Sequence, residues 1–276
     1  MPDQQESRLR SNAVSTDDLE LLGAGREAEV FAWESGHALR LAREPSDTGM
    51  IEREAIALRA AHAAGANVPA VYERVTFDGR PGVVLERVDG IDLLDWLAAR
   101  PWAVRSVGRT LGAEHAALHR VEAPAGLPDL RDELRHRLGS PLVPDDVRAR
   151  ALERIGGLPD GDRLLHGDFH PANLLRTADG CVVIDWTNGM SGDPASDVAR
   201  TILLMGGGKL ADGTPFVVRV IAPVARRLLV NGYLRAYARD TPLDRGLVDH
   251  WLPVWAAARL AEDIEQERAF LLECAR

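Results

Sequence analysis

Apolar residues near the start of the chain fall into short runs cut by glycine. Leu19–Leu22, Glu29–Trp33 and Ala38–Ala42 have strand length, and Gly23, Gly25 and Gly36 mark the breaks. The period then changes. Ile51, Ala55, Leu58 and His62 recur at helical spacing, which predicts a helix over Gly49–Ala64 ended by Gly65. Val71–Phe77 and Gly82–Arg87 flank Asp78-Gly79, a dipeptide that predicts a tight hairpin. Beyond Val88-Asp89-Gly90 the pattern is helical. Leu93–Ala99 is one segment, and Ala103–His119 is a longer one carrying Val104, Val107, Leu111 and Leu118. Residues 121–129 and 139–146 read as Pro-rich connections. Leu164–Asp185 returns to strand with a turn at Asp179-Gly180, and three or four helices follow from Val198, the last near Ala256–Glu273. The pattern predicts an α+β fold. Residues 18–88 form a sheet-rich lobe with one helix, 89–276 a mainly helical lobe, and 1–17 a mobile polar tail.

Composition narrows the class. In 276 residues, 46% hydrophobic and 27% charged is ordinary for a globular protein. No apolar run reaches the ~20 residues of a membrane span, and the polar start has no signal-peptide core, so a cytoplasmic protein without a membrane partner is expected. The net charge of -9 argues against a nucleic-acid partner. Cys181 and Cys274 form no CxxC pair and predict neither a disulfide framework nor a zinc site. The chain has a single lysine, Lys209, so basic contacts elsewhere must come from arginine or histidine.

The chemistry concentrates in Leu164-Leu165-His166-Gly167-Asp168-Phe169-His170-Pro171-Ala172-Asn173-Leu174-Leu175 and in Val182-Val183-Ile184-Asp185-Trp186. An Asp, an Asn five residues later and a second Asp after a hairpin can meet on one cleft wall. Phosphoryl transfer needs a carboxylate to orient the acceptor hydroxyl and oxygen ligands to hold magnesium against phosphates.

These segments resemble the catalytic and metal-binding segments of the aminoglycoside phosphotransferase family, whose members share the protein-kinase-like bilobal fold. The resemblance spans residues 18–276 and is strongest over 164–197. It implies Asp168 as catalytic base, Asn173 and Asp185 as magnesium ligands, and ATP or GTP as phosphoryl donor. Asp197 is expected to brace the catalytic loop, and Asp193 reads either as a turn former or as a substrate contact. Leu22–Phe31, with Gly23 and Gly25, resembles the nucleotide-positioning loop; Ala28 stands where protein kinases carry a third glycine. No lysine is available for the strand position that usually pairs with a helix glutamate. Arg40 fits it, with Arg43 as fallback, and Glu54 is the favoured partner ahead of Glu52. Backbone groups of Glu86 and Val88 are expected to hold the nucleotide base.

Three features stand apart. His115 and His119 have metal-ligand spacing with no third ligand evident and read as packing or surface residues; His166 and His170 read as shaping the catalytic loop. Glu262, Asp263, Glu265, Glu267 and Glu273 form an acidic set, either a solvated helix face or a lining for a cationic substrate. Transfer of the γ-phosphate to a small, cationic molecule such as an aminoglycoside is the expected activity, with Glu262 and Asp263 in an acidic pocket. A kinase of an amino alcohol or sugar, or a non-catalytic nucleotide-binding regulator, is the alternative.

Overall fold

The computed structural model describes residues 15–207 and 216–276, with side chains from 222 onward in the second span. Lys209 and residues 1–14 of the expected tail lie outside the described residues. Ser15–Asp17, also assigned to that tail, belong instead to a one-turn 3-10 helix at Thr16–Asp18, closed by a reciprocal capping box between Ser15 and Asp18.

Five antiparallel strands form the first sheet: β1 (Leu21–Ala24), β2 (Ala28–Trp33), β3 (His37–Ala42), β4 (Val71–Phe77) and β5 (Arg80–Glu86), in the order β1-β2-β3-β5-β4. Alternation decides the faces. Phe31, Leu39, Leu41, Phe77 and Val84 gather on one face. Ala42, Val83 and Leu85 join Ile51, Ala55 and Leu58 of helix α1 (Thr48–Ala63) in the main core. The β4–β5 turn has positive φ at both Asp78 and Gly79, as its sequence predicts.

The chain then runs through β6 (Ile91–Asp92), α2 (Leu93–Ala99), α3 (Val104–Leu118), α4 (Leu130–Leu138) and α5 (Asp145–Gly157). β7 (Arg163–Leu165), β8 (Leu174–Arg176), β9 (Cys181–Val183) and β10 (Met190–Gly192) make small antiparallel pairings, β6-β8-β9 and β10-β7. The helices α6 (Pro194–Gly206), α7 (Phe216–Asp240), α8 (Arg245–Arg259) and α9 (Glu265–Cys274) complete the fold. Gly108 and Gly112 let α3 lie directly on α7, since a methyl at either would run into α7 backbone at Leu229 or Tyr233. Among the described residues no helix is long and apolar enough to cross a membrane.

The one helix expected over Ala256–Glu273 is interrupted. A 3-10 turn at Leu260–Glu262 and a left-handed Asp263 (φ 54°) separate α8 from α9. This break turns Glu262 toward the cleft between the sheet and the helices, where it lines a cavity.

Candidate active site

The loop between β7 and β8 carries Asp168 and is held from behind. Gly167 adopts φ 73°, and a Cβ there would collide with the Asn188 carbonyl. Asp197, buried in the first turn of α6, accepts hydrogen bonds from the backbone amides of His166 (2.7 Å) and Gly167 (3.1 Å). His115 and His119 reach the same carboxylate at 3.1 and 3.3 Å, and their other ring nitrogens meet the hydroxyls of Tyr233 (2.8 Å) and Tyr237 (2.6 Å). Burial alone would raise the Asp197 carboxyl; His115 and His119 outweigh it and hold it well below its usual range. Burial and the neighbouring His119 push His115 down to about 3. The histidines are therefore packed members of a satisfied polar network, and their third partner is the brace itself.

Asp168 sits at the mouth of this scaffold. Arg200 Nη2 lies 3.1 Å from its Oδ1, and His170 Nε2 lies 3.5 Å from its Oδ2. Burial opposes ionisation, but His170 and Arg200 hold the carboxyl well below the usual range. The Asn173 amide donates to the Asp168 carbonyl at 2.9 Å, which leaves the Asn173 side-chain oxygen as an acceptor. The Ile184 amide donates to the Asn173 carbonyl at 3.0 Å and so ties the loop to the segment bearing Asp185. Asp185 has φ 62°, a region that non-glycine residues rarely adopt.

Arg40 joins the sheet to this cluster. Its guanidinium lies 2.8 Å from Glu54 on α1 and 2.8 Å from Asp185. Alternation on β3 aims it there, because Leu39 and Leu41 are fully buried on the opposite face. Glu54 is 1% exposed, and burial pushes its carboxyl up to about 7 against the pull of Arg40. Arg43 serves elsewhere: it donates to the Gly25 carbonyl at 2.9 Å and pairs with Glu29 at 3.0 Å, supporting the glycine loop. Glu52 pairs with Arg74 at the surface.

Two cavities meet at Arg40 and Asp185. The first, about 530 Å³, is a largely apolar slot between the sheet and the helical part; Gly23, Val30, Leu85, Glu86, Val88 and Ile184 line it. The Glu86 amide is already bonded to the Ala70 carbonyl at 2.9 Å. The second, about 570 Å³, contains Gly25, Asp168, Asn173 and Asp185 and extends to Glu262.

Two of the residues proposed for substrate contact are not there. Asp193 is buried: one oxygen caps α6 through the Ala195 amide (3.1 Å) and the other accepts from the Trp251 indole (2.7 Å). The turn-forming reading of Asp193 is the one the structure bears out. Asp263 is exposed and faces a separate crevice beside Leu271. Glu262 does line the second cavity, but Arg137, Arg200 and Arg259 enclose it, and with Glu27, Asp168 and Asp185 beside Arg26 and Arg40 the lining is of mixed charge rather than acidic as expected. Sequence reasoning missed Arg137, Arg200 and Arg259 in the cavity wall. They occupy helices that carry no motif, in a chain rich in arginine, and only the fold brings them together.

An antiparallel sheet with one helix, set over a helical part with Asp168, Asn173 and Asp185 along the cleft, defines a protein-kinase-like phosphotransferase. The phosphotransferase enzyme family matches residues 18–260. The chain belongs to that family, and it is a phosphotransferase acting on a hydroxyl of a small molecule. Its fold is similar to a thermostable mutant of aminoglycoside phosphotransferase APH(4)-Ia, with TM-score 0.62 and 20% identity over 93% of this chain and 92% of that one. The amicoumacin kinase hAmiN, in complex with AMP-PNP, Ca2+ and Ami, superposes with TM-score 0.60 at 15% identity, covering 98% and 91%. A choline/ethanolamine kinase family protein from Mesorhizobium loti gives TM-score 0.59 at 19% identity, covering 99% and 93%. Among curated proteins none matches the sequence significantly.

Proposed function

We propose that the protein transfers the γ-phosphate of ATP, or of GTP, from a nucleotide in the first cavity to a small polar acceptor in the second. The observation that carries this reading is the junction of the two cavities at Arg40 and Asp185, with Asp168 on the acceptor side. The base lies in the apolar slot, which Glu86 and Val88 line. Because the Glu86 amide is occupied, the donor to the base comes from Val88 and the acceptor from the Glu86 carbonyl. Arg40, fixed by Glu54, contacts the phosphates as a permanent charge, and Gly23 and Gly25 let the loop backbone approach them.

Asn173 and Asp185 offer an amide and a carboxylate oxygen, the hard donors that magnesium takes. Arg40 and Thr187 both bond to Oδ1 of Asp185, so its second oxygen is available on the cavity side. These two residues would hold the ion, which when bound neutralises phosphate charge. Asp168 orients the acceptor hydroxyl along the line of transfer and receives its proton as the new P–O bond forms and the bond to the nucleoside diphosphate breaks. Held ionised by His170 and Arg200, it is a weak base, so positioning outweighs proton affinity in its contribution.

Similar structures include kinases of aminoglycosides, of amicoumacin and of the choline/ethanolamine class. The arginines around Glu262 do not favour a polycation, which supports a metabolite acceptor over an aminoglycoside. Mass spectrometry of acceptors incubated with the protein, magnesium and ATP tests the reading. A gain of one phosphate supports it. Loss of nucleotide without transfer to any member of a broad alcohol panel counts against it.

A further inference from the structure

One end of the second cavity gathers three arginines around Glu262, a cluster that catalysis at Asp168 does not require. Arg137, Arg200 and Arg259 come from α4, α6 and α8 and all face it. Glu262 in that wall touches all three, at 3.5 Å from Arg137, 3.1 Å from Arg200 and 2.6 Å from Arg259, and Asp168 lies 3.1 Å from Arg200. The other partners, Glu133 of Arg137 and Glu267 of Arg259, stand behind the wall and do not line the cavity.

The guanidiniums are rigidly built. Arg200 is 2% exposed, and both it and Arg137 lie over the Trp255 ring, at 4.6 and 5.7 Å from the centroid. The ring is pinned by its indole N–H to Ser196 at 2.7 Å. Arg200 Nε is buried and has no hydrogen-bond partner among the described residues. Burial and the neighbouring charge of Arg200 lower Arg137 from its usual range. Desolvated like charges held this close are costly unless an anion shares them, and guanidinium forks match the oxygens of carboxylate and phosphate.

We propose that the acceptor carries an anionic oxygen group, a carboxylate or a phosphate, beside its reactive hydroxyl, and that Arg137, Arg200 and Arg259 bind that group. This rests on the phosphotransferase reading above. The hydroxyl reaches Asp168 while the anion is held on the side of Glu262, so the arginines select the substrate and orient it for transfer. The reaction that supplies such a substrate makes a hydroxy acid or a hydroxylated phosphoester.

The test uses the full-length protein loaded with magnesium and AMP-PNP, so that the phosphate site is filled. Calorimetry then compares γ-hydroxybutyrate, butanediol and aminobutanol, which share a hydroxyl and differ in charge, and glycerol phosphate against glycerol. The expected result is binding of at least one anion tenfold or more tighter than its neutral and cationic counterparts. The carboxylate and phosphate arms show which anion is preferred. Arg259→Gln should abolish that preference while leaving AMP-PNP affinity within threefold. Equal or tighter binding of aminobutanol overturns the proposal, as does failure of both anions to bind to nucleotide-loaded wild-type protein. If Arg259→Gln weakens AMP-PNP tenfold and leaves the acceptor preference intact, the arginines serve the nucleotide, and the proposal also fails. Failure of the wild-type protein to bind AMP-PNP would instead sink the underlying phosphotransferase reading.

Discussion

Arg200 Nη2 stands 3.1 Å from Oδ1 of Asp168, and the same guanidinium reaches Glu262 at 3.1 Å. One buried arginine thus connects the Asp168 loop to the break between α8 and α9. Together with His170 it keeps Asp168 ionised, and it fixes which way the carboxylate points. Arg200→Met should lower kcat by roughly 10- to 100-fold. Removing the cation also raises the Asp168 carboxyl toward its ordinary range. In the proposed role only the ionised form works, so the variant should lose activity as pH falls toward about 4, where the parent does not. Superimposable pH–rate profiles would show that Arg200 does not act through Asp168.

Asp185 and Asn173 should differ in weight. A carboxylate opposes the metal with a full charge, and an amide does not. Asp185→Ala is expected to weaken magnesium-dependent nucleotide binding more than Asn173→Ala, and calorimetric titration of Mg-ATP into both variants measures the difference. Unimpaired affinity in both would remove the pair from the metal site.

Glu54 carries a pH signature. Its carboxyl is pushed up to about 7 by burial, above the ordinary value of 4.5. Between those limits the folded protein binds more protons than the unfolded chain, so this group's contribution to stability falls as pH rises from about 4.5 to 7. Glu54→Gln removes that slope. Denaturant unfolding of both proteins at pH 5 and pH 8 should show the variant gaining relative to the parent at pH 8, on the order of 1–3 kcal/mol. A difference that does not change with pH would contradict this account of the pair.

The brace behind the loop can be tested separately. Gly167→Ala imposes both an unfavourable positive φ and a collision with the Asn188 carbonyl. It should cost about 2 kcal/mol or more in unfolding experiments. Wild-type stability in this variant would mean that the loop relaxes freely.

Much of this site was legible before the fold. Asp168, Asn173 and Asp185 sit in two short segments close in sequence, and the β8–β9 hairpin brings them together locally. Arg40 was legible through strand alternation and the absence of any other basic candidate on that strand face. Asp193 was ambiguous for a physical reason: an aspartate before proline caps a helix and can also face a ligand, and only Trp251, 58 residues away, decides between them. The acidic set misled because helical periodicity runs through 256–273, whereas the chain breaks at Asp263 and places Glu262 among arginines. Arg137, Arg200 and Arg259 are far apart in sequence and periodic with their own helices, so no local pattern marks their convergence.

In the proposed reaction Asp168 directs phosphoryl transfer from a nucleotide held on the other side of Asp185. Transfer of radiolabelled γ-phosphate from Mg-ATP to an alcohol acceptor, measured for the parent and Asp168→Asn, tests it most directly. The variant should lose roughly 10²- to 10⁴-fold in rate, with Mg-ATP affinity within about threefold of the parent. Transfer at the parental rate by Asp168→Asn would contradict it.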